Sequence, residues 1–191
     1  MQTYSNIKNF ESLLAYHCAP TFNNLKPANL ISISLNKYSD VNYLLNIYSL
    51  KFKKMGISIK KLCECSKYIL VLVYRPKSLI DYIHIPSINN FLLNYGYKYD
   101  SCIDSYLNTL ISHFNNCIFP HEIGVFLGYP LCDVKGFIEN KGNNFKYSGY
   151  WKVYDNVLQT KKKFNEYTLC RDLFYTKISN GTKLESLLIA S

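Results

Sequence analysis

The chain has 191 residues, of which 48% are hydrophobic and 18% charged, and its net charge is +9. This composition excludes a disordered chain, and the length allows one domain with its own core, so we predict a single domain over residues 1–191. The longest uniformly apolar run, Tyr68–Tyr74, is too short to cross a bilayer, and Lys8 and Glu11 interrupt any signal-peptide pattern at the start. We therefore predict a cytoplasmic protein that does not bind a membrane.

The first half of the chain mixes helical and strand patterns. The apolar spacing predicts a first helix that ends near Cys18, because Pro20 disfavours helical geometry at the residue before it. A second helix is predicted over residues 41–54. Strand patterns are predicted over residues 28–35, 57–65 and 67–75. The last of these is apolar on both faces, which is typical of a central strand.

The second half is predicted to be mainly helical. Short helices are expected over residues 78–85 and 88–95, then a helix capped by Asp100, a long helix over residues 155–179 that ends at Gly181, and a short final helix with a capping box at Thr182 and Glu185. Residues 149–154, GYWKVY, have strand propensity. The predicted fold class is therefore α+β, with a small sheet packed by helices and a helical C-terminal half.

Residues 121–141 have the pattern of a helix-turn-helix corner, with Gly124 as the small residue of the first helix and Gly128 at the turn. The second helix lacks the polar side chains with which DNA-reading helices contact bases, and Gly136 lies in its middle. Residues 120–142 contain two lysines and three carboxylates, a net charge of −1, although a duplex-binding unit should be basic. We interpret the corner as a packing unit, and this disfavours nucleic acid as the partner.

Three motifs carry a resemblance to a known family. They are HCAPT…KPANL (residues 17–30), FPHEIGVFLGYPLCDVKGFIENKG (119–142) and GYWKVY (149–154). Together they resemble the uncharacterised bacterial proteins grouped as domain of unknown function 3793, which occur in anaerobic low-G+C Gram-positive bacteria. The resemblance covers nearly the whole chain. It implies a single bacterial domain, and it implies no activity and no catalytic residue.

Two pairs of residues are candidates for catalysis. In the HCAPT motif, His17 and Cys18 are predicted at the C-terminus of the first helix, followed by a loop, and an adjacent imidazole can activate a thiol. A helix C-terminus disfavours a thiolate, however, and both residues also extend the apolar stripe of the helix. His121 and Glu122, in the HEIG motif, are predicted in the first turn of a helix, where a neutral imidazole can act as a base or ligand. The alternative is that this second pair packs at the corner.

Four further residues are candidates for ligand binding. Lys26, in the predicted loop, and Arg75, at the end of the central strand, are placed to contact a phosphate or carboxylate. Tyr150 and Lys152 would share one face of a strand and could stack a planar group such as a flavin or nucleotide base. The alternatives are ordinary surface cations for the first pair and packing for the second.

The sequence lacks the common motifs of nucleotide-binding proteins, zinc proteases and serine hydrolases, and no metal site is predicted. The favoured hypothesis is a pocket between the HCAPT loop and the HEIG helix start that binds a small anionic ligand or redox cofactor, such as a flavin. Whether the protein is an enzyme is left open. The alternative is a non-catalytic interaction module, in which the basic residues 51–77 bind an acidic redox protein, for example a flavodoxin, or, less favoured, nucleic acid.

Overall fold

The computed structural model describes residues 2–38, 40–114 and 119–189, with side chains from residue 9 onward. Within these ranges the elements, in chain order, are α1 (Gln2–Phe22), β1 (Ala28–Ser34), α2 (Val41–Lys53), β2 (Ser58–Glu64), β3 (Tyr68–Tyr74), α3 (Pro76–Ile83), α4 (Pro86–Leu93), α5 (Ile103–Phe114), α6 (Ile123–Phe126), α7 (Leu131–Glu139), β4 (Tyr147–Ser148), β5 (Lys152–Val153), α8 (Val157–Ser179) and α9 (Leu184–Ile189). In this part of the chain, no helix is long and apolar enough to cross a bilayer.

The main sheet has three antiparallel strands in the order β1-β3-β2. The central position of β3 confirms the prediction made from its apolar run. Val71 is the partner of Ile31 in β1 and of Lys61 in β2, and β2 is irregular between Lys61 and Cys63. Because β3 is apolar on both faces, the sheet has to be covered on both sides.

Helices cover both faces of the sheet. On one face, Val71 and Val73 pack with side chains from α1, α2, α8 and α9. On the other, Leu72 and Tyr74 pack with side chains from α3 to α7. The long helices α1 and α8 also pack against each other. The arrangement confirms the predicted α+β class, with a small sheet packed by helices and a helical C-terminal half.

The predicted end of the first helix near Cys18 is wrong, because α1 continues to Phe22 with Pro20 inside it. The HCAPT motif is therefore helical and not a loop. Cys18, Ala19 and Phe22 are fully buried, and this packing offsets the cost of about 3 kcal/mol for an interior proline. The guanidinium of Arg75 also stabilises the helix end, because its Nε donates to the carbonyl of Thr21 at 2.8 Å and Nη2 donates to that of Phe22.

The helical corner forms as predicted, with α6 and α7 packed through Gly124 and Val134. His121 and Glu122, however, lie in a turn before the four-residue α6 and not in its first turn. The strand predicted over residues 149–154 forms only in part, because β5 covers Lys152 and Val153 alone. That segment includes the turn of the two-stranded hairpin β4–β5, which the amide of Gly149 closes by donating to the carbonyl of Trp151 at 3.1 Å.

Candidate functional site

Lys26 is a buried lysine in the segment between α1 and β1. Its side chain is only 6% exposed, and its Nζ lies 5.0 Å from the ring centroid of Tyr129 and 5.8 Å from that of Tyr167. Within the described ranges, no carboxylate forms an ion pair with it. Two aromatic rings compensate part of the cost of burying an ammonium group, but they do not neutralise its charge.

This burial changes the protonation of Lys26. Loss of hydration lowers the pKa of the amine from 10.5 to about 7, and the nearby Cys18 opposes that change. Near neutral pH the side chain is therefore present both as an ammonium ion and as a free amine. A lysine in this state is typical of functional sites more than of ordinary cores.

A close backbone approach holds Lys26 beside Tyr129. Pro27 follows Lys26 and packs against Gly128, where an added Cβ would lie 2.5 Å from Cδ of the proline. Gly128 also has φ +71°, a left-handed conformation that favours glycine. The carbonyl of Pro27 accepts a hydrogen bond of 2.9 Å from the amide of Arg75, next to the β1–β3 ladder. The corner glycine thus places Tyr129 next to the lysine.

Lys26 lines a cavity of about 290 Å³, here called the cationic cavity. His17 of α1 and Arg171 of α8 line it as well, and no carboxylate is found in its described lining. Arg171 pairs with the exposed Asp172 and lies over the ring of Tyr16. Burial, and then the charge of Arg171, lowers the pKa of His17, which favours a neutral imidazole at pH 7.

A second cavity of about 300 Å³, here called the aromatic cavity, adjoins the first, since Leu30, Leu127, Tyr129 and Tyr150 line both. Trp151 stacks on Tyr129 with ring centroids 4.5 Å apart. Asp133 also lines this cavity, but its carboxylate is engaged, because Oδ2 accepts the indole N–H of Trp151 at 2.8 Å and Oδ1 accepts the amide of Tyr154 at 2.7 Å. This cavity therefore offers flat apolar surfaces.

Several predicted site residues lie around these cavities. His17, Lys26 and Tyr150 line the cationic cavity. His121, Tyr150 and Lys152 line the aromatic cavity. Lys152 Nζ donates to the carbonyl of Gly142 at 2.6 Å, so its ammonium already has a partner. Tyr150 lies in the hairpin turn and lines both cavities, so it does not share a strand face with Lys152 as predicted.

The other three predicted residues are absent from the described lining of both cavities. Cys18 is fully buried in the core, and burial raises the pKa of its thiol. Glu122 is 3% exposed, and its Oε1 lies 2.6 Å from Nδ1 of His113 and accepts a hydrogen bond of 3.2 Å from the hydroxyl of Tyr97. Arg75 lies at the end of α1, where it binds backbone carbonyls. Cys18 and Glu122 are therefore part of the packed core, whereas Arg75 is half-buried and lines a separate cavity of about 470 Å³.

Two residues of the site were not among the predicted candidates. The position of Arg171 could have been predicted, because it follows Tyr167 by four residues in the long helix, and residues at this spacing lie on the same helix face. Tyr129 follows the corner Gly128, but nothing local shows that Lys26 packs against its ring. Among the described residues, no group of three or more His, Cys, Asp or Glu side chains could hold a metal ion.

A family model described as a protein of unknown function (DUF3793) matches residues 14–188. The chain belongs to this family. All the residues that line the two cavities lie inside the region matched to the DUF3793 family. No curated protein and no solved structure matches the chain.

Proposed function

We propose that this DUF3793 protein binds a small anionic ligand that also carries a planar group. The anionic group occupies the cationic cavity, and the planar group packs in the aromatic cavity. One observation carries the proposal: Lys26 is buried on a cavity wall beside His17 and Arg171, with no carboxylate partner among the described residues. An anion would supply the charge that this wall lacks.

The energetics support an anion in preference to a neutral ligand. A buried ammonium without a partner destabilises the fold, and a bound carboxylate or phosphate would offset that cost. Arg171 also lines this cavity, with its guanidinium already paired with Asp172, and the neutral imidazole of His17 can donate a hydrogen bond to an anion or exchange a proton with it. The cavity volumes of about 290 and 300 Å³ lie at the lower end of the range for small-molecule sites.

The neighbouring aromatic surfaces favour a planar group. Trp151 and Tyr129 are stacked, and Tyr150 is 37% exposed and lines both cavities. A flavin with a phosphate, or another planar anionic redox cofactor, belongs to this class of ligand. His121 lies at the far side of the aromatic cavity, against Phe137, and is a second group that can exchange a proton with such a ligand.

The basic residues 51–77 are a weaker basis for function than the adjoining cationic and aromatic cavities, which together are called the cleft. Lys51, Lys60 and Lys61 form ion pairs with Glu185, Asp104 and Glu64, respectively. Arg75 directs its guanidinium at backbone carbonyls. These contacts reduce the positive charge that the segment offers to an acidic redox protein or to nucleic acid, so we place the function in the cleft.

The first test is anaerobic purification without a metal-binding tag, followed by absorption spectroscopy and native mass spectrometry for a co-purifying molecule. The second is titration with flavin mononucleotide, AMP and pyridoxine 5′-phosphate, each paired with its unphosphorylated form. Trp151, the only tryptophan in the sequence, reports binding in the aromatic cavity by its fluorescence.

We expect at least one of the phosphorylated compounds to bind roughly tenfold or more tightly than its uncharged form, a difference of about 1.4 kcal/mol. Lys26→Met should abolish that preference, whereas Lys163→Met, at an exposed position of α8, should leave it unchanged. The proposal would be refuted if the purified protein contains no ligand and also binds none of the three compounds at about 1 mM. A dissociation constant above about 1 mM corresponds to a binding free energy of at most about 4 kcal/mol.

A further inference from the structure

We infer that Lys26 is a nucleophilic amine that forms an imine with the carbonyl group of a small anionic ligand. The inference rests on the proposed function, since it assigns a chemical class of ligand to the same cleft. The class is an aldehyde or ketone that carries a carboxylate or a phosphate.

The surroundings of Lys26 are those that a reactive lysine needs. The side chain is more than nine-tenths buried, faces a cavity, and has two tyrosine rings but no carboxylate partner among the described residues. Other lysines differ in this respect: Lys51 has an ion pair with Glu185, and Lys152 donates to a backbone carbonyl. Desolvation of a lysine in an apolar pocket is an established way to activate its amine.

The free amine is the reactive form, and the environment favours it. With its pKa lowered to about 7, Lys26 is present to a substantial extent as the free amine at pH 7.5. An exposed lysine with the ordinary pKa of 10.5 is unprotonated at that pH in only about one molecule in a thousand. The advantage in free amine is therefore several hundredfold, before the lower nucleophilicity and more restricted access of a buried amine reduce it.

The reaction needs no oxidant or reductant. The nitrogen lone pair of Lys26 attacks the carbonyl carbon, the π electrons move to the oxygen, and a proton passes from nitrogen to oxygen to give a carbinolamine. Loss of the remaining N–H proton and of the hydroxyl group, together one water molecule, leaves a C=N bond. His17, which is held neutral, lines the same cavity and can carry these protons.

The rest of the cavity fits the anionic part of such a ligand. Arg171, whose guanidinium also pairs with Asp172, and Asn29, which carries an amide donor, belong to the lining that contains Lys26. The described lining contains no carboxylate that would repel the ligand. The carbonyl group must therefore lie within a few bonds of the carboxylate or phosphate, as in a 2-oxo acid or a small phosphorylated aldehyde.

The test is reductive trapping with two probes of different size, glyoxylate and pyridoxal 5′-phosphate. Each is incubated with the full chain between pH 6 and 10, timed samples are reduced with excess borohydride, and the modified lysines are identified by peptide mass spectrometry. We expect Lys26 to react at least tenfold faster than exposed lysines such as Lys163 at pH 7.5. Its rate should level off above about pH 8, while the rates at exposed lysines keep rising toward pH 10.

Three controls keep the result interpretable. Urea-unfolded protein should lose the preference for Lys26, and Lys26→Arg should remove the fast site without labelling a new one. Pyridoxine 5′-phosphate, which lacks the carbonyl, should protect Lys26 in the folded protein. If neither probe labels Lys26 faster than Lys163, the imine inference is overturned, and the proposed function survives that result if pyridoxine 5′-phosphate or another anion still binds reversibly. Failure of reversible anion binding as well would refute both.

Discussion

Replacing Lys26 by methionine is expected to stabilise the protein. Methionine has a similar length and an apolar end, so it fills the space between the rings of Tyr129 and Tyr167 without placing a charge there. The substitution removes a buried ammonium that has no carboxylate partner in the described structure. Most core substitutions destabilise proteins, so a gain would be a specific signature of this site.

The magnitude follows from the change in protonation. A pKa lowered from 10.5 to about 7 corresponds to about 5 kcal/mol, at 1.36 kcal/mol per pKa unit, as the cost of burying the charge. The methionine variant loses two cation–π contacts, each worth about 1 kcal/mol. We therefore expect the free energy of unfolding to rise by about 2–3 kcal/mol at pH 6.

The gain should depend on pH in a defined direction. Below about pH 7 the lysine is protonated in both the folded and the unfolded chain, so the folded wild-type protein bears the full cost. Between about pH 7 and 10.5 the folded lysine loses its proton while the unfolded lysine keeps it, so wild-type stability rises relative to the variant. As the pH approaches 10.5, the variant should lose the part of its stability gain that comes from not burying a charge.

Urea unfolding at pH 6, 7.5, 9 and 10, followed by circular dichroism, measures this difference. Lys163→Met provides the matched control, because an exposed substitution on α8 should change stability by less than about 0.5 kcal/mol at every pH. A Lys26→Met variant that is less stable than wild type at pH 6, or whose effect does not vary with pH, would refute the view that Lys26 is an uncompensated buried cation.

Three further substitutions test the framework around the cleft. Asp133→Ala should lower the free energy of unfolding by about 3–5 kcal/mol and shift the emission of Trp151 to longer wavelength, because buried donors in the hairpin lose their acceptor. Gly136→Ala should destabilise by about 1–3 kcal/mol in urea unfolding despite its better helix propensity, since its Cβ would lie 2.5 Å from Cγ of Tyr154. Arg75→Lys should lower the free energy of unfolding by about 1–3 kcal/mol, which a lower melting temperature would show. It should leave the titration of phosphorylated ligands unchanged.

The parts of the fold that could be predicted have signals that are local in sequence. The apolar run of β3 identifies a central strand because both faces of that strand are buried. The end of α8 is predictable because Gly181, with φ +92°, lies two residues after its last residue, Ser179. In each case the residues that carry the signal are the residues that form the feature.

The end of α1 shows why other features could not be predicted. Pro20 is a local signal for a helix end, but the residues that oppose it are distant in sequence. Arg75 binds the last carbonyls of the helix, and Phe174 of α8 packs against Phe22. No pattern within residues 17–22 records these contacts, so the sequence suggested a loop where the structure has a helix.

The candidate residues of the site could not be grouped from the sequence for the same reason, because they are far apart along the chain. The types of side chain were predictable, since Lys26 and His17 are suited to anion binding wherever they lie. Their convergence with Tyr150 depends on the packing of α1 against α8 and on the hairpin that Asp133 anchors. The chemical role of each site residue could be assigned from its type, whereas its position relative to the other site residues is seen only in the folded chain.

The contrast between Arg75 and Lys26 gives the strongest reason to place the function in the cleft. Both are cations next to Pro27 in the structure, and both were predicted to contact an anion. Arg75 donates to several backbone carbonyls, so the fold itself satisfies its charge. Both side chains line cavities, but Lys26 contacts two aromatic rings and has no ion-pair or hydrogen-bond partner among the described residues, which is the difference on which our proposal of a ligand rests. A ligand that binds to wild type and to Arg75→Lys, but not to Lys26→Met, would demonstrate this difference directly.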